Sequence, residues 1–146
     1  MWHEIRDNND LIHFMTDICS FHDSCIKEIK YSSGAYVNDN LSMHPINDRR
    51  LLKVIIQRQF KDISMIEMEF EGLKYLKLFP ADDKYTCEIS DSTMFIKNGC
   101  IYWCDCGGLT EPDFESCTGT MVCASNLRWR SIEKCMGDKE FYHSSM

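Results

Sequence analysis

The chain has 146 residues, is 44% hydrophobic and carries a formal charge of −7. That is enough for one domain burying about 68–70% of its unfolded surface without disulfide or metal staples. No run of about 18 apolar residues could cross a bilayer, and the negative balance disfavours nucleic-acid phosphates and anionic membrane.

Met1–Asp10 holds Glu4, Arg6, Asp7 and Asp10 where a signal peptide needs an apolar stretch, so the expectation is a cytoplasmic, single-domain protein over 1–146. The 9 cysteines are odd in number and fall mostly among Ile, Val and Tyr. This marks free thiols packed as small hydrophobes in a reducing compartment. Charge is unevenly placed: residues 62–115 hold 12 acids and 4 bases, the remainder 11 acids and 12 bases. The middle of the chain carries the field, which suits encounter with a basic protein as well as plain solubility.

Asn8-Asn9 offers a helix N-cap, and Leu11, Ile12, Met15, Ile18 and Cys19 then recur at helical spacing, predicting one short N-terminal amphipathic helix. Phe21-His22-Asp23-Ser24 ends it and leads into a strand from Cys25 to Tyr31. Gly34 and Asn38-Asp39-Asn40 mark a turn before a short strand at Leu41–Met43, and Pro45 with Asn47-Asp48 marks the next. Leu51–Phe60 is long enough for a central strand.

Ile66, Met68 and Phe70 alternate with Glu67, Glu69 and Glu71, the pattern of a two-faced strand. Gly72 is expected to separate it from a further strand at Leu73–Phe79 by a bulge or tight turn. Asn98-Gly99 between Met94–Lys97 and Cys100–Cys104 predicts a hairpin with a type I′ turn. Residues 107–119 read as a loop, Met121–Ile132 as the last strand, and Asp138–Met146 as a loose tail. The fold class is therefore α+β, a mainly antiparallel, twisted sheet with one short N-terminal helix.

Chemistry-bearing constellations are sparse. Cys100, Cys104 and Cys106 suggest zinc, with Cys87, Cys117 or Cys123 as a fourth ligand. Even positions on one strand do not converge as tetrahedral coordination requires, so neither metal nor any other cofactor is expected. His22 and Cys25 resemble a nucleophilic pair, but three positions apart on a strand they face opposite ways. His22-Asp23 resembles half of a metal dyad, and more simply satisfies backbone groups at a turn. No catalytic residue is assigned.

Glu67, Glu69 and Glu71 stand roughly 7 Å apart on one strand face, too far to share a proton. They form an acidic stripe that is either an exposed face or a ridge for a partner's basic residues. Trp103 and Trp129 are candidate interface anchors, the latter flanked by Arg128 and Arg130.

The segment Phe21–Tyr31 with its Phe-His-Asp-Ser turn, then Gly34, Gln57–Phe60, Ile66–Phe70 and Ala124–Arg130, resembles a family of small uncharacterised bacterial proteins over most of the chain. Some similar small acidic proteins are immunity proteins of polymorphic toxin systems. The resemblance implies a stand-alone cytosolic inhibitor of a basic toxin and brings no catalytic residues. The expected partner-binding residues are Glu67, Glu69, Glu71, Asp105 and Trp129. The alternatives are a small metal- or thiol-dependent enzyme using His22, Asp23 and the thiols at 100, 104 and 106, and a self-associating structural module.

Overall fold

The computed structural model describes residues 1–133 and 135–143. Its elements are β1 (His3–Ile5), α1 (Asn8–Asp17), β2 (Ser24–Ser32), β3 (Tyr36–Val37), β4 (Met43–His44), β5 (Leu51–Arg58), β6 (Met65–Lys77), β7 (Thr93–Lys97), β8 (Cys100–Cys104), α2 (Glu111–Phe114) and β9 (Met121–Ser131). A seven-stranded antiparallel sheet runs β2-β5-β6-β9-β8-β7, with β1 also paired to β9; β3 and β4 form a separate small hairpin. The molecule is thus a mostly antiparallel, twisted sheet with few helices.

Strand β9 is the hub. One edge pairs with β6 along nearly its whole length; the other takes β8 at Met121–Ala124 and β1 at Leu127–Trp129. Alternation on the strands sends Leu52, Val54, Ile56, Ile66, Met68, Phe70, Val122, Ala124, Leu127 and Trp129 to one face, where Leu11, Phe14 and Ile18 of the helical region and Phe21 close the core. Each fully buried side chain of this size contributes about 1.5–3 kcal/mol through removal from water.

Helix α1 forms in the expected segment but ends at Asp17, before Ile18 and Cys19, with Ile12 exposed and Leu11 and Phe14 buried; its N-cap is Asp7, whose carboxylate accepts the Asp10 N–H at 2.9 Å. The cap falls one residue before Asn8-Asn9. Asn98 and Gly99 both take positive φ (53° and 75°), as a type I′ hairpin turn requires.

Three further expectations change. Residues 65–77 form one continuous strand: Gly72 takes φ +63° inside it, so close to Ser125 that a Cβ would lie 2.8 Å from that hydroxyl oxygen. The expected bulge is present just after Gly72, where the register with β9 shifts between Leu73 and Tyr75, and the strand continues through it. The short strand expected at Leu41–Met43 is instead Met43–His44, paired with Tyr36–Val37. The segment before residue 144 is not a loose tail. Glu28 accepts the backbone N–H groups of Phe141 and Tyr142, and the Gln57 amide donates to the Gly137 carbonyl at 3.0 Å. Residues 144–146 of that segment lie outside the described residues.

The second sheet face departs most from the sequence reading. Glu67 and Glu69 are only 1% and 4% exposed. Glu67 faces Arg130 in register and Glu69 faces Arg128, with ion-pair distances of 2.8 Å in both, and Lys53 approaches Glu69 from β5 at 3.9 Å. The Tyr142 hydroxyl donates to Glu67 at 2.8 Å, and Trp2 lies against both guanidinium groups, 4.2 and 4.5 Å from its ring centre. Burial, and then the Glu67 carboxylate, push the Tyr142 phenol well above its ordinary value. The stripe is therefore a covered ionic ladder, and its first two glutamates are not an exposed ridge.

A buried carboxylate that loses its partner is costly, whereas removing both charges is not. Arg130→Ala is accordingly expected to cost about 3 kcal/mol in urea unfolding. The double variant Glu67→Gln/Arg130→Met, which keeps an acceptor for the Tyr142 hydroxyl, should recover most of that loss. Equal losses in the two variants would show that charge compensation is not what holds this pair.

Candidate functional site

The sequence motif Phe21-His22-Asp23-Ser24 is built into a junction. Cys19, Ser20 and Phe21 take φ of 52°, 51° and 64°, and Asp23 takes 55°. Left-handed backbone costs roughly 1–2 kcal/mol per non-glycine residue, so something must hold the turn. Phe21 is wholly buried, edge-on to Phe14 and 5.2 Å from Trp103. His22 donates from Nδ1 to the Ser90 carbonyl at 2.7 Å, and its Nε2 lies 3.3 Å from Asp23. Ser24 forms an antiparallel bridge with Ile89, including Ile89 N–H to the Ser24 carbonyl at 2.7 Å. The four residues thus tie the helix end, the start of β2 and the segment before β7 together.

No nucleophilic pair results. Asp23 and Cys25 line a cleft of about 480 Å³ with Cys87, Gln57 and Arg58, while His22 turns to Ser90. Burial pushes the Cys25 thiol up, opposite to what a nucleophile needs. Arg58, almost fully buried, donates to the carbonyls of Asp62 and Ile63 and stacks on Phe60, so its role is to hold the β5–β6 turn.

The partner-binding residues expected from sequence do not come together. Trp129 is 6% exposed, stacked between His3 and Phe14 as a core residue under α1, and Trp103 is wholly buried. Glu71 is exposed beside Arg49 and Arg50, away from its two buried neighbours. Asp105 is half-buried: its N–H donates to the Thr120 carbonyl at 3.1 Å, and its carboxylate accepts the Thr120 N–H at 2.9 Å.

Asp105 is nevertheless at the centre of the most unusual chemistry in the molecule. Strand β8 ends at Cys104, the chain turns through Asp105-Cys106, and Cys117 returns from the loop after α2. The three sulfurs lie within 4.8 Å of one another, with the Cys104 thiol 3.4 Å from that of Cys117. Phe114 and Met121, both buried, form a small apolar cluster with Cys104, flanked by Tyr75, Phe95, Tyr102, Cys106, Leu109 and Cys117. The Gly119 N–H donates to Cys117 Sγ at 3.3 Å, and the Asp105 carboxylate is 3.8 Å from Cys106 Sγ.

A Cβ on Gly119 would collide with Asp105 and lie 2.6 Å from Cys106 Sγ and 3.3 Å from Cys104 Sγ, so glycine is present for space. Burial pushes the Cys104 thiol up strongly and the Cys106 thiol up to about 12. Burial also works against the Cys117 thiolate, but hydrogen bonds from Cys106, the Gly119 N–H and Cys104 outweigh it, leaving that thiol below its ordinary value.

Cys104 and Cys106 therefore meet Cys117, one of the thiols considered as a fourth ligand, while Cys100 stays apart. Cys100 sits at the other end of β8, roughly 13 Å along the strand, where the Cys123 thiol and then burial push the Tyr102 phenol up to about 12. The expectation that the thiols cannot converge fails because Cys106 lies past the strand end, where period-two geometry no longer applies.

Exposed acids are concentrated on the two segments that meet at this end of the sheet, although Glu88 turns to the cleft beside Asp23, Cys25 and Arg58. Residues 80–118 hold 8 acids and 2 bases. All the acids except Asp105 are exposed, namely Asp82, Asp83, Glu88 and Asp91 before β7 and Glu111, Asp113 and Glu115 on the α2 loop. The two segments meet, since Asp91 packs on Gly107 and the Thr93 hydroxyl donates to the Cys106 carbonyl at 2.8 Å. Among the described residues no helix is long and apolar enough to cross a membrane. Comparison with family models, curated proteins and solved structures returns no match, so sequence and geometry carry the reading.

Burial raises the Asp105 carboxyl, only partly countered by the Thr120 N–H. A raised carboxyl binds its proton more tightly folded than unfolded, so its cost is absent below the unfolded value of about 3.9 and grows as pH rises through the folded value. Asp105→Asn keeps the acceptor for Thr120. Measured against pH, its melting temperature should exceed that of the native protein at pH 7, with the advantage disappearing below about pH 4. A pH-independent difference would remove the carboxyl as its cause.

Proposed function

We propose that this chain is a non-catalytic binding protein of the immunity type, which neutralises a basic protein toxin by covering it with an acidic surface. The observation that supports this most directly is the sorting of carboxylates. Glu67 and Glu69 are consumed by Arg130 and Arg128, while six exposed acids, Asp82, Asp83, Asp91, Glu111, Asp113 and Glu115, stand nearly uncompensated on the two segments that meet at the Cys104 end of β8. The binding surface is accordingly assigned to these two segments and not to β6. Lys97, 4.0 Å from Glu111, is the only nearby base with an ion pair to this set among the described residues.

Such a surface acts mainly on encounter. It steers an oppositely charged partner and raises its association rate by about 10- to 1,000-fold at low salt, while adding less to net affinity. Such binding involves no covalent step.

The test is a native mass spectrum of the protein isolated gently from its own cells, followed by association kinetics with the companion found. The expected companion is stoichiometric and basic, and its association slows about tenfold or more on raising salt. Reversing Glu111, Asp113 and Glu115 to lysine should slow it comparably at low salt, whereas Glu71→Lys should have little effect. A neutral or acidic companion, or an association rate insensitive to the triple reversal, would reject this surface.

A further inference from the structure

We propose that Cys104, Cys106 and Cys117 form a three-thiolate site for a thiophilic metal ion, Zn2+ foremost, with a fourth coordination position left to water, to the neighbouring Asp105 carboxylate or to an external ligand. The distances carry the argument. With Zn–S bonds of about 2.3 Å in tetrahedral coordination, bound sulfurs sit about 3.8 Å apart. The observed triangle has one edge of 3.4 Å and none above 4.8 Å, so small side-chain rotations suffice to take a metal.

The ligands are also held in advance by their surroundings. The backbone and carboxylate bonds between Asp105 and Thr120 fasten the end of β8 to the segment carrying Cys117. Phe114 and Met121 keep one side dry, the Gly119 N–H points at one sulfur, and the missing Gly119 side chain leaves room for the other two. Backbone N–H donors and a dry shell of this kind orient ligands and tune a metal centre.

Packing alone explains this cluster less well. A buried thiol serves as a small hydrophobe, but packing does not call for three sulfurs to face one another beside a half-buried carboxylate. A divalent cation accounts for that convergence, displacing the thiol protons and balancing the negative charge that results. A disulfide between Cys104 and Cys117 would use only two of the three sulfurs, leaving Cys106 and its neighbouring carboxylate unaccounted for. The inference stands apart from the binding role, because its readout involves no protein partner.

The reduced protein, stripped with chelator and then freed of it, is titrated with Zn2+ alone and read by native mass spectrometry. A parallel titration with Cd2+ is read by its thiolate-to-metal charge-transfer absorption. One equivalent of each metal is expected, with the Cd2+ band indicating sulfur ligation. Cys106→Ser and Cys117→Ser should each weaken Zn2+ binding by about 100-fold or more, beyond the range for loss of a supporting residue. Cys100→Ser and Cys123→Ser should bind as the native chain does.

Cys104→Ser alters a fully buried position, so the half-buried Cys106 and Cys117 variants, checked for native far-ultraviolet circular dichroism, carry the decision. Absence of a bound equivalent in the reduced protein would overturn the site. So would affinity unchanged by the Cys106 and Cys117 variants, or a Cd2+ complex without the sulfur band.

Discussion

The pairing of β6 with β9 is the constraint on which the remaining structure depends. These strands are separated by more than forty residues of chain, so their union closes a long loop before it yields any contact energy. Its register is fixed by two opposed patterns at once. Ile66, Met68 and Phe70 must reach the core beside Leu127 and Trp129, and on the other face Glu67 and Glu69 must meet Arg130 and Arg128. A slip of one residue would send both carboxylates into the apolar core, where an unpaired charge costs far more than any gain from repacking. The ionic ladder contributes little net stability against an apolar equivalent, but it strongly penalises the wrong register.

Both ends of the chain exploit this ladder. Trp2 covers the two guanidinium groups from the N-terminal side, while Tyr142 and the segment before it close over Glu67 and Glu28 from the C-terminal side. Cation–π contact is worth about 0.5–1 kcal/mol at exposed sites and more when water is excluded. Residues near both ends of the described chain thus shield the two carboxylates, while the guanidinium groups keep part of their surface in water. The Phe-His-Asp-Ser junction is held in a comparable way, with burial of Phe21 offsetting three consecutive left-handed residues.

Much of the fold was legible because its signals are local. Period-two alternation located β2, β5, β6, β8 and β9, and Asn98-Gly99 identified its hairpin because few other residue pairs accept two positive φ angles. What was not legible is non-local. An alternating Glu stripe reads identically whether it faces water or a partner strand, and only the β6–β9 register shows that Arg128 and Arg130 repeat with the same spacing opposite it. That matching two-residue spacing of opposite charges was the available signal. Strand β1 is too short to show a period, and Trp129 next to two arginines resembles an interface anchor until α1 is placed over it.

The thiol site illustrates the same limit from the other direction. Cys100, Cys104 and Cys106 share the parity of a strand, which argued against convergence, yet the strand stops at Cys104 and Cys106 already belongs to the turn. Cys117 then arrives on the loop that also presents Glu111, Asp113 and Glu115. The proposed metal site and the proposed acidic binding surface are therefore two sides of one segment, the sulfurs beneath and the carboxylates above. A loop of this length with only one four-residue helix has little core of its own beyond Phe114 and would lose considerable conformational entropy on meeting a partner. A metal joining Cys117 to the end of β8 would bear that ordering cost in advance, so that an acidic surface carried by an otherwise pliable loop could meet its partner already shaped.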